Sequence, residues 1–174
     1  MRMKRFSEII DESSIHDMTP VEYQQALIKD CPNARQPQMS GLKKGDIYHN
    51  PPTEEKTGDR KAFGSISWIE YWRRLTVGSD VGLKCSFCGQ KIFFDVDSCT
   101  CHSWRMDHPD ERQYMSKDDY QAVGGHFHKN GKDNSDGYII VPCCKSCNGK
   151  ADDTDLVVCE ENMFVEEVGA SIER

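Results

Sequence analysis

Gly124-Gly125-His126-Phe127-His128, followed by Tyr138-Ile139-Ile140-Val141-Pro142-Cys143-Cys144-Lys145-Ser146-Cys147-Asn148-Gly149, is the stretch on which the reading of this chain turns. Tyr138 to Val141 is a compact apolar run and predicts a strand. It feeds a Cys-x-x-Cys pair at Cys144 and Cys147, and the same spacing occurs upstream in Cys85-Ser86-Phe87-Cys88-Gly89-Gln90. Two residues between cysteines let a tight turn aim both sulfurs at one ion, and two such knuckles close a tetrahedral four-cysteine zinc site. Gly89 and Asn148-Gly149 supply turn residues behind each pair. The 55 residues between the knuckles exceed the usual ribbon spacing of ~15–20, so an insertion over about 92–122 is expected to loop out. Cys143 competes with Cys144, but only Cys144 has the two-residue gap to Cys147. Four sulfurs leave no open position, so this zinc would be structural.

The remaining cysteines read differently. Nine in all is an odd number, which suits metal ligation in a reducing cytosol better than a disulfide framework. Cys99-Thr100-Cys101-His102, with His108 nearby, has metal-ligand residue types but a one-residue gap that is poor for a knuckle. Cys31 and Cys159 read as buried thiols. No thioredoxin-like βαβ context surrounds either Cys-x-x-Cys pair, which disfavours a thiol redox role.

Composition sets the outer bounds. With 174 residues, 37% of them hydrophobic, and a mean hydropathy of -0.71, the chain holds one domain plus extensions around a thin core, not a large multidomain enzyme. No run approaches the ~20 apolar residues of a membrane span, and Met1 to Glu8 lead into no apolar signal core, so the expected setting is cytoplasmic, with no membrane partner. The net charge of -7 argues against a phosphate-rich partner. Residues 1–78, 79–149 and 150–174 carry net charges of +1, -2 and -6, however, so the body is near neutral and the acidity is terminal.

Local signals divide the chain into an arm over 1–62, a zinc-stapled body over 63–155 and acidic strands over 156–174. Thr19-Pro20-Val21-Glu22 opens a helix that Cys31-Pro32 ends, and 33–60 reads as loop. A second helix is expected from Ser65 to Leu75, with Trp68, Trp72 and Leu75 on an apolar stripe and Arg73 and Arg74 in water; the aromatic and basic interleaving also suits a nucleic-acid surface. Ile92-Phe93-Phe94 is a strand candidate. Ser116 to Asp119 opens a short helix that Gly124 would end, Phe127 starts a strand, and 129–137 is a polar turn. Leu156 to Cys159 and Met163 to Val165 predict two short strands. The sum is a small α+β fold.

Residues two apart on a strand share a face, so His126 and His128 can both point toward the helix start at Asn148. The order Cys85-x-x-Cys88, Gly-Gly-His126, Tyr-Ile-Ile-Val-Pro142-Cys-Cys144-x-x-Cys147-Asn148 resembles the HNH nucleases, the zinc-stapled branch of the ββα-metal (His-Me finger) superfamily. The Trp72-Arg73-Arg74-Leu75 helix before the first knuckle is similar to theirs, and the resemblance spans 65–155.

The resemblance implies a metal-dependent nuclease that hydrolyses phosphodiester bonds, of DNA ahead of RNA. His126 would activate water and Asn148 would hold Mg²⁺ or Mn²⁺, with Asp152 as a second oxygen ligand if the helix continues. The family usually has Asp before this histidine; Gly125 stands here, and His128 could take over as ligand. The family's orienting Asn would fall near Tyr138 or Ile139, which leaves Asn130 or Asn134 for that task. The alternative is a non-catalytic zinc-binding module on a degenerate HNH scaffold, meeting a protein partner through its acidic C-terminal region. In that case His126 is a packed strand histidine. Asp152, Asp153 and Asp155 discriminate, since they repel phosphate unless they bind metal.

Overall fold

The computed structural model describes residues 39–51, 67–76, 78–112, 116–129 and 138–166, together with Glu22 and Gln25. The apolar run at Tyr138 continues as strand β4, Ile139–Cys144. It pairs antiparallel with β3, Ala122–Lys129, in a register running from Ala122 opposite Cys144 to Phe127 opposite Ile139. Around this hairpin lie β1 (Met39–Gly41), β2 (Ile47–His49), β5 (Leu156–Val157) and β6 (Met163–Glu166). The six strands form one sheet in the order β1-β6-β4-β3-β2-β5, with every pairing antiparallel. The acidic C-terminal strands are therefore sheet members, paired with β1, β2 and β4. With its helices the fold is α+β.

Helix α1, Trp68–Thr76, lies across β3, β4 and β6 and buries Ile69, Tyr71, Trp72 and Leu75. The indole of Trp72 donates to the Met163 carbonyl at 2.7 Å, pinning the helix to β6. Arg73 is partly in water as expected, but Arg74 is only 7% exposed. Its guanidinium, like that of Arg73, is held by the Glu70 carboxylate one turn earlier. Gly124 of β3 is required by this packing: a Cβ there would stand 2.4 Å from the Trp68 carbonyl carbon and 2.5 Å from the Ile69 nitrogen.

Several local expectations are corrected. Residues within the supposed loop 33–60 form β1 and β2, whose three-residue length leaves no alternating run to detect. The helix opened by Ser116 is a single 3₁₀ turn, Lys117–Tyr120, closed by a Ser116–Asp119 capping box. Gly124 does not end it, because strand pairing with β4 takes over at Ala122, five residues before Phe127. Ile92-Phe93-Phe94 makes only isolated bridges, Phe93 with Gln121 beside Lys91 with Lys84. Between the knuckles, α2 (Cys99–Asp107) and α3 (Pro109–Arg112) accompany a small second core of Phe93, Cys101 and Tyr120, flanked by Val96 and Trp104.

Glu22 and Gln25 are helical, in line with the helix expected from Thr19. The rest of that helix, Cys31, Ser65, Ile66, Asn130 and Asn134 lie outside the described residues. Among the described residues no helix is long and apolar enough to cross a membrane.

Candidate metal centre

The first knuckle is closed by its own backbone: Cys85 N–H donates to the Gln90 carbonyl at 2.7 Å and Gly89 N–H to the Cys85 carbonyl at 3.0 Å. Gly89 has φ 73°, the left-handed conformation that favours glycine. Ser86 ties this turn to β4 through its backbone N–H and its hydroxyl, both donating to the Pro142 carbonyl. The second knuckle follows directly. Cys144 ends β4 and caps helix α4, Lys145–Asn148, its sulfur accepting from Cys147 N–H at 3.4 Å.

This places Cys85, Cys88, Cys144 and Cys147 with their sulfurs all within 4.8 Å of one another, the one such cluster of ligating atoms among the described residues. Cys88 and Cys144 sulfurs are 3.7 Å apart; the sulfurs of a regular tetrahedron with ~2.3 Å zinc bonds stand ~3.8 Å apart. The four thiols could thus hold a metal ion such as zinc. Hydrogen bonds from Cys144 and Cys147 hold the Cys85 thiol far below the usual range. The same sulfur contacts, with Cys144 first and Cys85 next, push Cys147 far above it.

Cys143 is settled as a bystander. It is fully buried, its thiol donates toward the Val123 carbonyl at 3.8 Å, and burial pushes its pKa well up. Cys159 is half-buried rather than buried and faces the Cys85 carbonyl at 3.9 Å. The Cys99, Cys101, His102 and His108 set is not drawn together: α2 splays its members, Cys101 enters the small core, Cys99 and His102 face solvent, and His108 stacks on Trp104.

The histidines do not meet Asn148 as expected. A Cβ on Gly125 would fall 2.8 Å from Asn148 Oδ1, whereas one on Gly124 would meet Trp68. Neighbouring strand residues face opposite ways, so Asn148 sits on the Gly125 and Phe127 face, and His126 on the other, edge-on to Trp68 at 4.5 Å. His126 is 5% exposed. Phe127 decides this orientation, since its ring packs on Phe87 of the first knuckle at 4.7 Å. Helix α4 stops at Asn148, with Gly149 as its C-cap. Asp152 lies beyond in an exposed turn and shares no helical face with Asn148.

Three polar residues that sequence reasoning passed over, or read only as charge, stand beside these groups. Asn50, buried at the end of β2, donates to the Cys147 and Lys150 carbonyls. His49 of β2 lies 5.7 Å from His128, ring centre to ring centre, and its Nε2–H donates to Asp155 Oδ1 at 2.6 Å. Only the polar His49-Asn50 pair breaking the run after Ile47-Tyr48 hinted at them. Comparison of the chain with protein-family models, with curated proteins and with solved structures found no match.

Proposed function

We propose that the chain is a zinc-stapled module on a degenerate HNH-like, ββα-metal scaffold, and that it works by binding a protein partner rather than by cutting nucleic acid. The observation that carries this reading is the setting of His126: nearly buried, edge-on to Trp68, with Asn148 across the strand. A general base must reach the water that it activates, and this ring meets packed side chains instead. Zinc bound by four thiolates has no open position and serves as a staple, contributing on the order of 10 kcal/mol to a thin core.

Charge favours the class of partner. The net charge is -7, and Asp152, Asp153, Asp155 and Glu161 are exposed along the segment after the second knuckle. Such a surface repels phosphate and attracts a basic protein face.

Hydrolysis is the second reading, favoured by the order of knuckle, histidine, strand, knuckle and Asn. It needs Mg²⁺ or Mn²⁺ at Asn148 or Asp152 and water activated by His126. Wild type and His126→Ala are to be incubated with plasmid, single-stranded DNA and RNA, with either ion or with EDTA. No cutting by folded, zinc-loaded wild type, together with polylysine binding that weakens in Asp152→Asn/Asp153→Asn, supports the binding module. Metal-dependent cutting that His126→Ala abolishes overturns it.

A further inference from the structure

We propose that His49, His128 and Asp155 form a second metal site, separate from the four sulfurs, for a borderline divalent ion such as Zn²⁺, Co²⁺ or Ni²⁺. The three residues come from distant parts of the chain and meet through strand register. His49 is directly opposite His128 in the β2–β3 ladder. The β2–β5 ladder pairs Ile47 with Val157 and Tyr48 with Leu156, so its next rung sets His49 opposite Asp155. Directly opposed residues project to the same face. The row His128, His49, Asp155 therefore crosses three adjacent strands on the face that carries His126, away from Asn148.

The spacing suits a shared ion. Two imidazoles bound to one tetrahedral ion at ~2.1 Å have their ring centres roughly 5 Å apart, and those of His49 and His128 are 5.7 Å apart. Asp155 Oδ1 is 2.6 Å from His49 Nε2, so a nitrogen and a carboxylate oxygen already adjoin, sharing a proton where an ion would sit. On binding, that proton moves to Nδ1 of the same ring and frees Nε2. His128 must turn about its Cβ–Cγ bond to close the sphere, since its donor atoms are not yet as near the other two as the four sulfurs are to one another.

That turn relieves a cost. His128 Nδ1 is buried with no hydrogen-bond partner among the described residues, and leaving a buried polar nitrogen unsatisfied is unfavourable. The donor set selects the ion: two imidazoles and one carboxylate favour Zn²⁺, Co²⁺ or Ni²⁺ over Mg²⁺ or Ca²⁺, which prefer all-oxygen shells. The site opens on one side, because the side chain of His49 is 12% exposed and that of Asp155 60%. Three protein ligands with an open side leave a coordination position for water or a small anion, which the four-sulfur centre does not offer.

The test is cobalt loading of the full chain, followed by native mass spectrometry and visible absorption. Wild type should take up two ions, one giving the intense thiolate-to-cobalt band and the other, released first by a weak chelator, giving none. His49→Ala and His128→Ala should each bind one ion with the thiolate band unchanged, which also reports that the variant is folded. Asp155→Asn should weaken the second ion by roughly 10–100-fold. A second measurement needs no variant: cobalt added to wild type carrying a single zinc, with any second zinc first stripped by the weak chelator, should shift the imidazole proton signals of both His49 and His128. A single ion at saturation in wild type, two ions retained in both histidine variants, or unshifted signals from the two rings would each overturn the site.

Discussion

The side-chain amide of Asn50 donates to the carbonyl oxygens of Cys147 at 3.2 Å and Lys150 at 3.0 Å, across 97 and 100 positions of sequence. One buried side chain from the end of β2 thus anchors the turn in which the second knuckle ends, at Cys147 and Lys150. Asn50→Ala should remove both bonds and leave two acceptors short of a donor, at a cost of about 1–3 kcal/mol. Urea denaturation of the zinc-loaded protein measures the loss, and zinc release to a chromophoric chelator should quicken. Asn50→Asp should be worse, since a carboxylate would face two carbonyls.

Cys147→Ser should abolish stoichiometric zinc and the cooperative melting transition together, because removing one thiolate opens a site that supplies on the order of 10 kcal/mol. Mass spectrometry under native conditions and circular dichroism read the two losses. Cys143→Ala should keep its zinc, since that thiol points to the Val123 carbonyl. Zinc lost in Cys143→Ala and kept in Cys147→Ser would reassign the ligands.

Gly125→Ala tests the close approach of the second knuckle to β3. Its Cβ would come within 2.3 Å of the Phe127 ring and 2.8 Å of Asn148 Oδ1, so a loss of about 1–3 kcal/mol is expected as the ring or the amide gives way. Gly124→Ala should cost more, because the atoms it meets are backbone atoms of α1. Both are read by denaturant midpoint at unchanged slope.

Much of this architecture is written locally and some of it is not. The knuckles are legible because two residues between cysteines specify a turn without reference to anything else, and the Tyr138 to Val141 run is long enough to declare itself a strand. The glycines at 124 and 125 mislead, since two breakers in succession suggest a helix end; they stand inside β3 because α1 crowds one face and Asn148 the other. Alternation shows that His126 and His128 share a side of the strand but not which side. That choice falls to Phe127, which needs an aromatic neighbour in Phe87. The row through His49 and Asp155 depends on two ladders joining three distant segments, and no local pattern encodes such a register.

Glu70→Gln should weaken the hold of α1 on its own arginines by about 1 kcal/mol, a modest figure for a partly exposed cluster. Burial pushes the Glu70 carboxyl up, but hydrogen bonds and charge from Arg73 and Arg74 outweigh it and hold the pKa below its ordinary 4.5. A lowered folded pKa stabilises fully above the unfolded value and is lost as pH falls through the folded one. The stability gap between wild type and Glu70→Gln should therefore be constant near neutrality and narrow only below 4.5. A gap that widens in acid would contradict the assignment.

Strand β1 has β6 as its neighbour, Met39 beside Val165, and Leu42 N–H donates to the Asn162 carbonyl just past that ladder. During translation the first of these segments leaves the ribosome long before the second is made, and Cys85 and Cys88 emerge well ahead of Cys144 and Cys147. Early in synthesis the nascent chain consequently carries reactive thiols and an unmatched strand edge, and such non-local closure is slow. Chaperone occupancy and the metal supply at the moment of release would then govern how much of this protein a cell recovers in active form.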